Sequence, residues 1–193
     1  MASVMTAVGA VTNPFAVDGY GTLDGVMLGD VMAPRIEATF NGEAIRAWQV
    51  DWGVGRGEFF VENGYLDVRG GYFRRGEAEL QVDGLFSLGG TRDDGAEEVN
   101  VVVKMASFPA SRIRSAFGLN EGYVIEGPVT GELHLYGAYR RLFGFGRINL
   151  ERPTAHGELF DSASAGLRFE GNGVWLDGFE MRKEAGSVSV HSS

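Results

Sequence analysis

The three histidines are the first residues to consider for metal or acid–base chemistry. They are His134, His156 and His191, and they lie far apart in the chain. A transition-metal site normally takes two ligands from one short helical or hairpin segment, because that spacing brings both donor atoms to one ion. No two of these histidines have such a spacing. The sequence therefore predicts structural or solvent-facing histidines and no metal site.

Serine and carboxylate chemistry finds little support either. The serines of the segment 162–164 fall in an alternating stretch, and no Gly-x-Ser-x-Gly motif presents a serine on a sharp turn. Glycoside hydrolysis needs two carboxylates about 5–9.5 Å apart, for which Asp24 with Asp51, or Glu158 with Asp161, are the candidate pairs. Nothing distinguishes these pairs from the other acids. The sequence predicts no catalytic residue and no enzyme activity.

Two further patterns bear on cofactors. The acidic segment Asp93–Glu98 offers oxygen ligands for calcium but lacks the Asp-x-Asp-x-Asp-Gly order, and we interpret it as a solvated loop. Gly-x-Gly occurs at 53–55, 55–57, 144–146 and 171–173, yet none of these opens a helix after a strand, as phosphate binding requires. The chain has no cysteine, which excludes thiolate chemistry and disulfides. No cofactor is expected.

Charge and composition exclude further classes of partner. The chain carries 26 acidic and 17 basic residues, a formal net charge of −9. Its basic residues do not cluster beyond Arg74-Arg75 and Arg140-Arg141, so nucleic acids and anionic membrane surfaces would both be repelled. The segment 1–15 has no basic residue and is shorter than the roughly 20 residues that a spanning helix needs. We expect no nucleic-acid binding and no transmembrane segment in this chain.

Alternation of apolar and polar residues dominates the rest of the sequence. The clearest cases are Arg35–Phe40, Glu77–Asp83, Val99–Met105 and Thr130–Tyr136. Because successive side chains of a strand point to opposite faces, these stretches are predicted to be half-buried strands of an antiparallel sheet. Thirty glycines against five prolines suit many strands joined by tight turns.

The connections complete the predicted fold. Asn63-Gly64 between two apolar runs predicts a type I′ hairpin, and Gly70-Gly71 predicts another turn. One helix is predicted over Phe108–Leu119, with Ser107 as its N-cap and Pro109 near its start. A helix this short cannot cover many strands, so the sheet must meet a second layer, close into a barrel or fold as an open trough. We predict an all-β fold: a long, curved antiparallel sheet of repeated hairpins, either a trough or a flattened sandwich, with one short helix.

Two stretches look like copies of one unit. They are Phe60–Gly76 and Phe169–Gly186, whose Asn-Gly turns lie 109 residues apart (172 − 63). Repeated units bury their apolar faces by stacking on their neighbours. We predict an N-terminal strand or an artificial chain end over 1–18, a first unit containing the helix over 19–126, and a second, incomplete unit over 127–193.

The second unit resembles a known family. Its motifs are an opening strand Gly127–Gly137, a strand Gly144–Leu150, an element Gly157–Asp161, a hairpin Leu167–Asp177 and a closing strand Lys183–Val190. In this order they resemble the AsmA-like repeats at the C-terminal end of the TamB translocation and assembly module family, over about residues 19–193. The resemblance implies a long sheet folded into a trough, or β-taco, with an apolar interior. It also implies a periplasmic location, a parent protein anchored in the inner membrane, and phospholipid transport or outer-membrane protein assembly.

Large apolar residues on the predicted strands form a candidate groove. The candidate lining is Ile36, Phe40, Trp48, Val50, Trp52, Leu80, Val82, Val101, Val103, Leu133 and Leu135. Such a surface would hold an acyl chain without directional contacts. The same residues would equally fill the core of a closed sandwich. Phe143, Phe145 and Trp175 are expected in the same core or groove.

The sequence therefore favours a non-enzymatic envelope module that handles phospholipid in an apolar β-groove or assists outer-membrane protein assembly. Phospholipid acyl chains are the expected ligand. The alternative is a structural or protein-interaction domain that pairs with other envelope β-proteins through exposed strand edges, without lipid transfer. A carbohydrate-active protein would need a convergent pair of acids in a concave polar cleft.

Overall fold

The computed structural model describes residues 17–30, 33–47, 50–88, 97–117, 125–171, 173–184 and 186–190. These residues form fourteen strands and one helix, α1 (Ala110–Phe117). The strands are β1 (Val17–Asp30), β2 (Ala33–Ala47), β3 (Val50–Glu62), β4 (Tyr65–Arg75), β5 (Ala78–Ser87), β6 (Val99–Pro109), β7 (Ile125–Glu126), β8 (Pro128–Ala138), β9 (Arg141–Glu151), β10 (Thr154–Ala155), β11 (Glu158–Leu159), β12 (Ser162–Gly171), β13 (Gly173–Lys183) and β14 (Gly186–Val190). The prediction of an all-β fold with a short helix is confirmed.

Eleven strands form one antiparallel sheet that follows the chain almost without interruption. Its order is β1-β2-β3-β4-β5-β6-β8-β9-β12-β13-β14. The sequence leaves this order only between β6 and β8, where α1 and β7 intervene, and between β9 and β12, where β10 and β11 intervene. The inserted strands form a small sheet in the order β11-β10-β7. Both insertions lie at one end of the large sheet, which we call the helix end. Because β6 pairs directly with β8, the sheet continues across the boundary predicted at 126/127.

One face of the large sheet is apolar from β1 to β14, and we call it the inner face. Register partners define it, since paired residues of adjacent strands share a face. One of its rows consists of Val82, Val103, Leu133, Gly146, Leu167 and Leu176. The opposite, outer face is largely polar, as its row Lys104, Glu132, Arg147, Gly166 and Asp177 shows. The period-two pattern of the sequence thus determines the face to which each residue belongs.

Contacts between distant strands show that the sheet curls around its inner face. Three strand spacings, roughly 14 Å, separate β3 from β6 along the sheet. Nevertheless, the rings of Trp52 on β3 and Phe108 on β6 are stacked with centroids 5.7 Å apart. Phe73 lies 6.3 Å from Trp52, and Ile113 of α1 packs against the same apolar cluster. The inner face is therefore folded into a trough whose helix end is covered by α1 and aromatic rings.

Glycines on the inner face make room for large neighbours. A Cβ atom on Gly146 would lie 2.5 Å from Leu133 Cδ2 and 2.2 Å from the Glu132 carbonyl oxygen. Gly144, two residues earlier, would place its Cβ 2.2 Å from the His134 carbonyl oxygen. Close packing of this kind leaves no space for an added methyl group. The glycine content therefore reflects packing between strands as well as tight turns.

The predicted hairpin at Asn63-Gly64 is confirmed, but the predicted turn at Gly70-Gly71 is wrong. Glu62 pairs with Tyr65, and both turn residues have positive φ, 52° and 75°. Gly70-Gly71 is a β-bulge inside β4 and not a turn: the register shifts there, and Gly70 has φ 56°. A bulge needs the same glycine conformation as a turn, so the residue types do not separate the two.

The helix also begins later than predicted. Ser107, the expected N-cap, has φ 49° and lies within β6, where the register shifts between Met105 and Phe108. The first helical residue is Ala110, whose N–H donates to the Gly127 carbonyl oxygen at 3.0 Å. Because β6 pairs with β8 as far as Pro109, the helix cannot begin where the local capping signal indicates. The predicted last residues of the helix, 118 and 119, lie outside the described residues.

The offset of the two similar hairpins is 108 residues and not 109. In the second hairpin Glu170 pairs with Gly173, so the two-residue connection begins at position 171, against 63 in the first (171 − 63). An offset of 109 aligns Phe60 on the outer face with Phe169 on the inner face. An offset of 108 aligns Val61 with Phe169, and both lie on the inner face. A slip of one residue exchanges the faces of a strand, so only the offset of 108 aligns residues of the same face.

Candidate functional site

The structure brings most of the predicted groove lining to one face. Eight of the eleven residues lie on the inner face by register: Ile36, Phe40, Leu80, Val82, Val101, Val103, Leu133 and Leu135. Trp52 joins them through its contacts with Phe73 and Phe108. Trp48 lies outside the described residues, and Val50 is described only as a backbone position of β3. That these residues bind lipid stays a prediction.

Burial divides this lining into two groups. Leu80, Val101, Leu133 and Leu135 are buried, and Leu133 is only 2 % exposed. Ile36 and the remaining described members are half-buried. Side chains therefore fill the central part of the trough, where the buried group belongs to one continuous apolar cluster. The centre of the inner face is a packed core.

The inner face is uncovered at both of its margins. Leu23 and Met27 on β1 are exposed, Met27 by 62 %, and we call this pair the β1 margin. Val174, Leu176 and Val188 on β13 and β14 are exposed as well, Leu176 by 50 %, and we call them the β14 margin. Sequence reasoning missed these residues because alternation indicates the face of a residue and not whether its strand is covered. These exposed apolar side chains are the part of the inner face that a ligand can reach.

At the end of the sheet opposite the helix end, hydrogen bonds of Tyr139 join the end of β8 to the end of β5 and to the segment before β6. The hydroxyl group of Tyr139 donates to the Ser87 carbonyl oxygen at 2.8 Å, and its backbone N–H donates to Glu98 Oε2 at 2.8 Å. Ser87 and Glu98 are buried. The prediction that Glu98 belongs to a solvated loop is therefore wrong, because its carboxylate accepts this backbone hydrogen bond. Positions 93–96 of the acidic segment lie outside the described residues.

This arrangement predicts a dependence of stability on alkaline pH. Burial, with a smaller contribution from the Glu98 charge, raises the pKa of Tyr139 to about 12 from the ordinary value of 10.0. The unfolded chain releases this proton first, so stability is complete below pH 10.0 and falls as the pH rises towards 12, by about 1 kcal/mol once solvent screening of this half-exposed side chain is included. We expect Tyr139→Phe to remove this part of the decline, as measured by urea unfolding from about pH 8 to 11. Tyr20→Phe, at an exposed tyrosine, is the control, and equal declines in Tyr139→Phe and the wild type would contradict the prediction.

The acids considered for catalysis take part in local structural contacts. Asp51 accepts a hydrogen bond from the Gly53 N–H at 3.0 Å and lies 3.2 Å from Arg75. Glu158 pairs with Lys183 at 3.1 Å, and Asp161 Oδ2 accepts from the Glu184 N–H at 2.7 Å. Asp24 lies on β1, two strands away from Asp51 on β3. The serines at 162 and 164 belong to β12.

The histidines are separated in the structure too. His134 lies on the outer face, where its Nε2 atom is 2.9 Å from Asn100 Oδ1. His156 occupies the connection between β10 and β11 with φ 51°. His191 is outside the described residues. In the part of the chain that the structure describes, no three His, Asp or Glu side chains come together as a metal site.

Three aromatic residues lie on the face opposite to the predicted one. Phe143 and Phe145 of β9 and Trp175 of β13 belong to the outer face, because their register partners are Tyr136, His134 and Arg168. The expectation that they fill the core or line a groove is wrong. The odd-numbered positions of β9 point outward while glycines at 144 and 146 occupy its inner face.

Among the described residues, no helix is long and apolar enough to cross a membrane. A scan against models of known protein families, a search of curated proteins and a search of solved structures each find no match to this chain.

Proposed function

We propose that this chain is a non-enzymatic module of the bacterial periplasm, of the AsmA-like and TamB type, that holds phospholipid acyl chains against the inner face of its sheet. The observation that carries the proposal is the pair of uncovered apolar margins. Each continues an apolar face whose centre is already buried. Contiguous exposed apolar side chains are unfavourable in water, and such patches commonly mark binding surfaces.

The physical basis is the non-directional affinity of an apolar surface for a hydrocarbon chain. Burying a methylene group contributes about 0.8 kcal/mol, so a few methylene groups on each margin suffice for measurable binding. The packed core means that acyl chains would lie along the margins and not through the centre of the trough. Acidic residues such as Glu37 and Asp24 lie on the outer face of β1 and β2, so they do not oppose this contact.

A specific observation favours a second candidate function, the pairing of strand edges with another β-protein. β1 is 14 residues long, and every side chain from 18 to 30 is exposed. Within the described strands, β2 is its only partner, and no described strand lies along its other backbone edge. Long exposed edges of this kind are templates for an added strand. In this function the chain would assist assembly of outer-membrane proteins by offering an edge.

Two double variants on the same strand separate the inner face from the edge. Leu23→Asp with Met27→Asp places two charges on the inner face of β1. Val26→Asp with Leu28→Asp places them on the outer face, at side chains of similar exposure. Native mass spectrometry of protein purified from envelope extracts is the measurement. We expect phospholipid to co-purify with the wild type and with the outer-face variant. In the inner-face variant the amount of bound phospholipid is expected to fall by more than about tenfold.

The same spectra decide between the two candidates. A stoichiometric protein partner without phospholipid, lost to a similar extent in both double variants, would replace lipid binding by edge pairing, because both variants alter the same edge. Phospholipid bound equally by both variants would contradict the role of the β1 margin. Neither lipid nor protein on the wild type would contradict both functions. Circular dichroism of each variant shows whether the fold is retained.

A further inference from the structure

The outer face carries a group of aromatic side chains that the proposed function does not use. We call Tyr136, His134, Phe143, Phe145 and Trp175 the outer platform. His134 and Phe145 are opposite each other on β8 and β9, with ring centroids 5.5 Å apart in an edge-to-face arrangement. Tyr136 and Phe143 form the adjacent register pair, stacked at 6.2 Å. Contacts between these rings fix the platform against the sheet.

Two members of the outer platform are open to solvent. Phe145 is 58 % exposed and Trp175 is 52 % exposed. They lie on the outer face, away from the apolar cluster on the inner face. Folding therefore gains little from them. Large exposed rings on a rigid sheet are a feature of surfaces that bind a partner.

The two exposed rings belong to one register row, with Arg168 between them. Phe145 pairs with Arg168, and Arg168 pairs with Trp175. Their backbone positions are therefore two strand spacings apart, roughly 10 Å, and both side chains project from the same face. This is close to the length of a disaccharide in an extended chain. A β-1,4-linked polysaccharide turns over at each sugar, so every second ring presents the same C–H face in the same direction.

The charge around the platform favours a neutral ligand. The cations on its strands include Lys104, Arg141, Arg147 and Arg168, and the acids include Glu97, Glu132, Glu170 and Asp177. Positive and negative side chains are interspersed here, although the whole chain has a net charge of −9. Arg168 contacts both Glu170 and Asp177, and Lys104 lies 3.6 Å from Glu132. An anionic or a cationic ligand would have to displace these ion pairs.

We propose that the outer platform binds a neutral, extended, β-1,4-linked polysaccharide. The exposed rings of Phe145 and Trp175 stack on the C–H faces of alternate sugars. The Arg168 ion pairs between them and the Asn100 amide, which donates to Glu97 Oε2 at 2.8 Å, provide polar groups for the sugar hydroxyls. This site is on the opposite face from the lipid-binding margins and does not depend on the proposed function.

Isothermal titration calorimetry with two isomeric hexasaccharides tests the proposal. Cellohexaose, which is β-1,4-linked and extended, is expected to bind, whereas maltohexaose, which is α-1,4-linked and coiled, is expected to bind more weakly. Phe145→Thr and Trp175→Thr keep strand-forming residues in place and are each expected to weaken binding of cellohexaose by about tenfold or more. Val26→Thr and Tyr20→Thr, at exposed positions on the outer face of β1, are the matched controls and are expected to leave it unchanged.

Several outcomes would overturn the proposal. One is no heat of binding with cellohexaose at millimolar concentration, and another is the same affinity in the platform and control variants. Flotation with vesicles of neutral phosphatidylcholine that is lost only in the platform variants would identify a lipid surface as the ligand instead. A concentration-dependent dimer lost only in those variants would identify a second copy of the chain. The Leu23→Asp with Met27→Asp variant is expected to retain cellohexaose binding, which distinguishes this test from that of the proposed function.

Discussion

Leu133→Asp is expected to prevent folding, whereas Leu176→Asp is expected to leave the fold intact. Both residues lie on the inner face in one register row, Leu133 on β8 and Leu176 on β13, with Gly146 and Leu167 between them. Leu133 is 2 % exposed and Leu176 is 50 % exposed. The same change at two positions of one row therefore compares the packed centre with the open margin.

The expected difference follows from the cost of burying a charge. At Leu133 the substitution removes a buried side chain, which costs about 2–5 kcal/mol, and adds a carboxylate without a partner. The sum approaches the whole stability of an ordinary domain, about 5–15 kcal/mol. At Leu176 the carboxylate stays in water, and the cost is expected to be below about 1 kcal/mol. Thermal unfolding followed by circular dichroism measures both, and similar midpoints for the two variants would show that the centre of the trough is not a packed core.

Gly146→Ala is expected to lower the stability of the protein, although backbone entropy alone would make alanine the more stabilising residue. Replacing glycine by alanine in a compatible conformation stabilises a protein by about 0.4–1 kcal/mol through the unfolded state. At Gly146 the new methyl group would lie 2.2 Å from the Glu132 carbonyl oxygen and 2.9 Å from Leu133 Cα. Both are backbone atoms of β8, so β8 and β9 would have to separate.

We expect Gly146→Ala to destabilise the protein by about 3 kcal/mol, as overpacking of a core does. Gly186→Ala is the matched control, because among the described residues its methyl group would meet only the Lys183 carbonyl oxygen at 3.4 Å, an ordinary contact. Urea unfolding measures both free energies. A loss at Gly186 as large as that at Gly146 would indicate that these glycines are needed for chain conformation and not for close packing of strands.

The alternation of side chains was sufficient to predict the sheet and its two faces. Successive residues of a strand point in opposite directions whatever the tertiary context, so Leu80, Val101 and Leu133 could be assigned to one face from the sequence. The hairpin at Asn63-Gly64 was predictable for a similar reason, because two positive φ angles restrict the residue types.

Features that depend on the third dimension could not be predicted. Leu133 and Leu176 occupy equivalent positions in their strands, and only the curl of the sheet makes one a core residue and the other a margin residue. Phe145 and Trp175 were misplaced because their size suggested burial, whereas glycines at 144 and 146 fill the inner positions of β9. Glu98 was misplaced because a carboxylate that accepts a backbone N–H can be buried in a loop that looks solvated.

The order of strands in the sheet has a consequence for how the chain is made. Apart from the two insertions at the helix end, each strand pairs with the one synthesised just before it. Most strand pairings are therefore local in sequence, so a new strand can meet its neighbour without a long search through the chain. Stacking of Trp52 on Phe108 needs both β3 and β6, so we expect this part of the sheet to curl only once β6 has been added.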